Sequence, residues 1–208
     1  MPWKDAVQSV RTMQISSFFS WLGILSLGIT SGFTHDPGLL AWILASWTIL
    51  ILQISGKRLR NDLRLWTVFR QLPFANRRLV LAELVNPVML SIFLTWIGLV
   101  ISGCVSRSFN LVLAVLAPGA AASAAAAAAF DILRQSRVKA LLVGSVSDVG
   151  SWGALLSLVC VGIPAGFLWF ATAERILMPI SLPLACLIGL ALAVILWNRA
   201  ASRLRTME

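Results

Sequence analysis

Charge is what this chain has least of. Asp, Glu, Lys and Arg make up 12% of its 208 residues, about half the ~25% of an ordinary soluble domain. A water-facing surface cannot be built from that, and no polar stretch is long enough to fold as a separate soluble domain. Histidine is nearly absent too. His35 stands alone, which excludes a haem held by paired imidazoles and a His-rich metal site. It also leaves Gly150-Ser151-Trp152-Gly153 without a His base on a facing helix, so intramembrane serine proteolysis lacks its parts. His35 sits in a turn beside Asp36 and reads as solvated. Cysteine is limited to Cys104, Cys160 and Cys186, each in a different apolar run. Their spacing fits neither a metal nor a redox pair, so they read as small packing residues. Tyrosine is missing altogether. The interfacial aromatic role falls to Trp, and Trp21, Trp42, Trp152, Trp169 and Trp197 all lie near the ends of apolar runs.

What is present is grease. Hydrophobic residues make up 59% of the chain, and several runs reach the roughly 18 residues that read as a membrane span. The expected fold class is an all-α polytopic membrane protein forming a single transmembrane domain over 1–208. Spans fall at about 15–33, 39–55, 83–105, 109–130, 141–163 and 177–197. The first is expected to be a retained span rather than a signal peptide, because no small-residue cleavage site follows it. Thr34-His35-Asp36-Pro37-Gly38 is a compact turn, Ser106-Arg107-Ser108 a short break, and Asp131 to Lys139 a basic loop.

The basic residues order these spans. Of 17 Lys and Arg, only Arg107 and Arg175 fall on the second side when six spans alternate. Positive-inside topology then puts both termini in the cytoplasm, in a multi-pass protein of the cell's inner (plasma) membrane. The +9 net charge is therefore a topology signal, with lipid rather than nucleic acid as the partner.

Residues 140–173 are too long for one span of about 20 residues. Gly162-Ile163-Pro164 interrupts them, and Pro in a helix interior removes a hydrogen bond. The expected solution is a span ending near 163, then a short re-entrant helix at about 165–175 between spans five and six. A single long helix kinked at Pro164 is the other solution. Trp169, beside that break, either belongs to the interfacial belt or lines a ligand site. The alanine run after Pro118-Gly119 allows close backbone approach. It serves either a seam with a second copy or, as preferred, packing inside its own bundle.

The largest polar segment is 56–82, which leads into Asn86-Pro87. Lys57, Arg58, Arg60, Arg64, Arg70, Arg77 and Arg78 lie in or at the end of it. On a helical wheel, Leu59, Leu63, Leu65, Trp66, Phe69 and Leu72 gather on one side, with Arg60, Arg64, Thr67 and Gln71 opposite. Pro73 ends the helix. One reading is an interfacial helix with its Trp and Leu side chains at the acyl boundary. The other is a docking surface, since a shorter loop suffices to join two spans.

The order of these features, a basic amphipathic helix from Arg60 to Leu72, a Leu72-Pro73 turn, and then Glu83 and Pro87 in the next helix, resembles the segment between the second and third spans of type-2 ABC exporter permeases. The six-span layout is similar to that class, and more distantly to the B subunits of haem exporters, although the acidic-Gly-Thr/Ser pattern of their loop is absent. The resemblance implies a permease subunit that pairs with a second copy or a related permease. It also implies a separate ABC ATPase subunit docking on Arg60, Arg64, Trp66, Phe69, Arg70, Leu72 and Pro73. No cofactor is expected in this chain. ATP belongs to the partner: Gly56-Lys57 is followed by Arg58, and no Gly stands five residues before Gly56, so no P-loop is present. Accordingly the chain is expected to be a non-catalytic transport subunit. Two alternatives remain: a small ion-coupled transporter or channel, with Asp148 as its intramembrane polar site, or a membrane scaffold that transports nothing.

Overall fold

The computed structural model describes residues 15–34, 36–64, 76–107, 109–135, 150–173 and 178–205. Among them are six helices: α1 (Ile15–Phe33), α2 (Pro37–Arg64), α3 (Asn76–Ser106), α4 (Leu111–Gln135), α5 (Ser151–Ala173) and α6 (Met178–Arg205). The chain is all-α, as the apolar runs require. Helices are the only open-ended way to satisfy every backbone group inside lipid. Five of the six, α2 to α6, are long and apolar enough to cross a membrane; the apolar part of α1, Phe18–Phe33, is shorter.

The local chemistry explains several ends. Asp36 caps α2: its Oδ1 accepts the Gly38 N–H at 3.1 Å, and its carbonyl accepts that of Leu40 at 3.0 Å. Pro37 follows at the first helical position, where its missing N–H costs nothing. Arg107 closes α3 with φ 54°, the left-handed conformation that ends many helices. Asn110 then caps α4, its Oδ1 accepting the Leu113 N–H at 3.1 Å.

Two helix boundaries differ from the sequence expectation. The second span and the start of the amphipathic segment are one continuous helix, α2, which runs to Arg64 without a break at 55. Lys, Arg and Leu are good helix formers, so a fall in hydropathy marks the edge of lipid without ending the helix. Similarly, α5 passes through Pro164 to Ala173, so the break at 162–164 does not separate a span from a re-entrant helix. The single-helix solution describes 151–173. Pro interrupts membrane helices less than soluble ones, because neighbouring groups re-satisfy the freed carbonyl. Pro87, Pro118 and Pro183 likewise lie inside α3, α4 and α6.

The bundle is built around α4, which touches α2, α3, α5 and α6. Of its apolar window 67% is buried, against 28–33% for α2, α3, α5 and α6. Ala120, Ala121 and Ala124 to Ala129 are all at most 2% exposed. The alanine tract is thus packed inside this chain. Small side chains suit that central position, since association in lipid relies on close packing rather than on a hydrophobic drive.

Two crossings use glycine directly. At α1 and α3, a Cβ on Gly98 would stand 2.7 Å from the Leu25 carbonyl oxygen and 3.0 Å from the Gly28 Cα. At α4 and α6, a Cβ on Gly119 would stand 2.6 Å from the Cys186 carbonyl oxygen. Backbone cannot yield there as a flexible side chain could. We expect Gly119→Val to destabilise the bundle by about 2 kcal/mol, in the range for overpacking, as read by thermal unfolding in detergent. An unchanged transition would show that this crossing is not tight.

Large side chains on the outer faces, such as Phe170, Trp42, Val105 and Leu187, are exposed and suit contact with acyl chains. Trp47 is the exception among the described tryptophans: it is 1% exposed and its Nε1–H donates to Thr95 Oγ1 at 2.9 Å. The Thr95 hydroxyl in turn donates to the Ser91 carbonyl at 2.7 Å, so the polar atoms joining α2 to α3 are satisfied.

Candidate functional site: a cleft at one end and a basic stem at the other

Because the helices alternate in direction, one end of the bundle collects the close of α1, the Asp36 cap, the Arg107 break and the junction of α5 with α6. The opposite end collects the close of α2, α4 and α6 and the start of α3 and α5. Most basic residues belong to this second, basic end.

Two of the expected docking residues are described, and both lie at the basic end. Arg60 is in the last turns of α2 and half-buried, and Arg64 is its final residue. Trp66, Phe69, Arg70, Leu72 and Pro73 lie outside the described residues, as does Asp148. The described part does alter one reading. Leu59, on the apolar side of the expected wheel, is 2% exposed and belongs to the main core with Ile54 and Leu84. The stem of the segment therefore packs on the bundle rather than lying on the membrane surface. At 1.5 Å per residue, α2 is about 42 Å long against a hydrocarbon core of about 30 Å, so its basic end reaches beyond the lipid.

The same end holds a residue that sequence reasoning assigned to a loop. Asp131 belongs to α4 and is 2% exposed. Its Oδ2 accepts the Gly150 N–H at 3.1 Å, immediately before α5 begins. The first N–H groups of a helix lack intrahelical partners and carry partial positive charge, so Asp131 caps α5 from a neighbouring helix. Gly153 makes room for it: a Cβ there would collide with the Asp131 carboxyl group. One turn on, the Arg134 guanidinium lies 5.4 Å from the centroid of the Trp152 ring, a cation–π distance. Only the Asp-to-Gly-rich juxtaposition across 136–149 could have signalled this joint, and spacing alone does not reveal it.

A cleft of about 580 Å³ opens toward the other end. Its walls are α2, from Leu40 to Thr48, and α5, from Leu158 to Trp169; Val112, Leu113 and Leu116 of α4 form the floor. Gly162 and Gly166 keep it wide, for a Cβ on either would meet nothing within 4 Å. The lining is apolar apart from Ser31, Thr48, Asn110 and the Trp169 indole, and Ser31, Thr48 and one Asn110 N–H donate within the protein. The Ser31 hydroxyl donates to the Gly28 carbonyl at 2.7 Å, that of Thr48 to the Leu44 carbonyl at 2.7 Å, and the Asn110 amide to the Ser31 carbonyl at 3.5 Å. Trp169, the sequence candidate for a ligand-site wall, lines this cleft. The cleft offers no charged group, and among the described residues no three His, Cys, Asp or Glu side chains gather as a metal site would need.

The geometry therefore separates two regions: an uncharged apolar cleft at one end and a basic, packed stem at the other. Compared with protein-family models, curated proteins and solved structures, the chain matches none.

Proposed function

We propose that this chain is the membrane permease subunit of an ATP-driven exporter, coupled at its basic end to a separate ABC ATPase. The single observation that carries the reading is the stem of α2. A helix that crosses the membrane continues past it to Arg64, with Leu59 anchored in the core, directly into the segment whose Leu-Pro turn resembles exporter coupling regions. A stem fixed to the bundle can pass on a push, whereas a loop floating on lipid cannot. The permease acts with a second copy or a related permease, its basic end in the cytoplasm of a plasma-membrane protein.

An ion-coupled carrier would place an ionisable group along its path. Asp131, a buried acid, is aimed at the start of α5 instead of into the cleft. Asp148, the candidate group of the carrier reading, lies outside the described residues.

The test is purification of the tagged full chain from native membranes in mild detergent. The expected result is a stoichiometric P-loop ATPase whose turnover rises when the complex is placed in lipid vesicles. A chain that transports without such a partner, or never retains one, would overturn the proposal.

A further inference from the structure

We infer that the cleft between α2 and α5 is an acyl-chain site, taking one chain of a bilayer phospholipid from the leaflet at the Asn110 end. Three observations converge on this occupant. The first is chemistry: the lining is largely apolar, and Ser31, Thr48 and one Asn110 N–H donate within the protein. A polar or ionic ligand would lose its hydration there for, among these three side chains, at most the second Asn110 N–H. Water gains little as well, because apolar cavities stay dry.

The second is length. From Leu158 to Trp169 the α5 wall rises about 16 Å at the helical rise, close to half of the ~30 Å hydrocarbon core. The cleft thus reaches from one interface to about mid-depth, the reach of a chain belonging to one leaflet. The third is shape. Gly162 and Gly166 lie one turn apart on α5, with open space where side chains would be, and Leu158, Gly162 and Trp169 are exposed at the rim. The volume of about 580 Å³ falls within the ~300–1,000 Å³ of small-ligand pockets. Filling the space is favoured in a bilayer, since unfilled walls forgo their dispersion contacts. The molecule at hand is the lipid chain. This site is independent of whether an ATPase docks at the basic end.

The test uses the full chain in nanodiscs containing a phosphatidylcholine with a photoreactive diazirine on its acyl chain, with labelled peptides mapped after irradiation. Labelling concentrated on Leu158 to Trp169 and Leu40 to Thr48, above other lipid-facing helices, is the expected result. Gly162→Leu and Gly166→Leu fill the space and should lower that labelling about tenfold, the worth of about ten lost carbon–carbon contacts. Leu187→Phe, on the exposed face of α6, should leave it unchanged. If the leucine variants do not fold, Gly162→Ala, for which space exists, should give a smaller decrease. Labelling that simply follows exposure on every helix would overturn the site. Labelling by a photoreactive free fatty acid, with none by the phospholipid, would overturn the proposed source.

Discussion

Asp131→Leu is expected to lower the stability of the folded bundle by about 3 kcal/mol, the scale for deleting one partner of a buried hydrogen bond and stranding the other. The reason lies in where the carboxyl group points. Gly150 gives its N–H to Oδ2, and of the next N–H groups Gly153 donates to the Gly150 carbonyl, while those of Ser151 and Trp152 fall at positions that lack an intrahelical acceptor. Leucine fills the volume but accepts nothing. Asp131→Asn retains an acceptor and should cost about 1 kcal/mol, the scale of an ordinary helix-cap replacement. Gly153→Leu should be as harmful as Asp131→Leu, because its side chain must occupy the space the carboxyl group holds. Thermal unfolding in detergent, with limited proteolysis of the 136–149 connection, measures all three. Equal melting of Asp131→Leu and the unaltered chain would show that α5 is capped some other way.

Trp66→Glu and Leu72→Asp carry the second large effect. Both are expected to insert normally and melt like the parent chain, yet to weaken ATPase binding on the order of 100-fold, as loss of an apolar hot spot does. On the proposed function, a charge at Trp66 or Leu72, on the apolar side of the expected wheel, is incompatible with a dry interface. Co-purification and vesicle ATP turnover give the two readouts. Should both variants keep the partner and its stimulated turnover, the docking role of 56–82 is wrong. Gly162→Ala serves as a contrast for the glycines: it meets open space and gains up to about 1 kcal/mol of helix propensity.

Hydropathy made the membrane class and the six helices legible, because lipid imposes one requirement over long runs and averages out local exceptions. The interior role of the alanine tract could also be read, since small residues have little else to offer in lipid. Features that depend on a pair of distant residues were not legible. Asp131 follows an apolar run and precedes Arg134, so its sequence context is that of a loop. Only the approach of Gly150 and Gly153 turns it into a cap. Trp47 resembles the interfacial tryptophans until Thr95 is placed beside its indole nitrogen. Gly162 and Gly166 read as helix interruptions beside Pro164, whereas in the bundle they hollow out a wall. The extent of α2 escapes the sequence for a different reason: hydropathy reports the edge of lipid, and helix propensity reports the end of the helix.

The prolines of the long helices give α2 a mechanical distinction. α3, α4, α5 and α6 each carry an internal proline, while α2 has its only proline at the first position. A proline softens a helix by removing a rung of its hydrogen-bond ladder. Among the five helices long enough to span a membrane, α2 alone lacks an internal proline. It forms a cleft wall at Leu40 to Thr48 and ends in the basic stem at Arg64. A tilt of that stem would be passed toward the cleft with no proline joint to absorb it, the Ser55-Gly56 step being the small-residue site between the two.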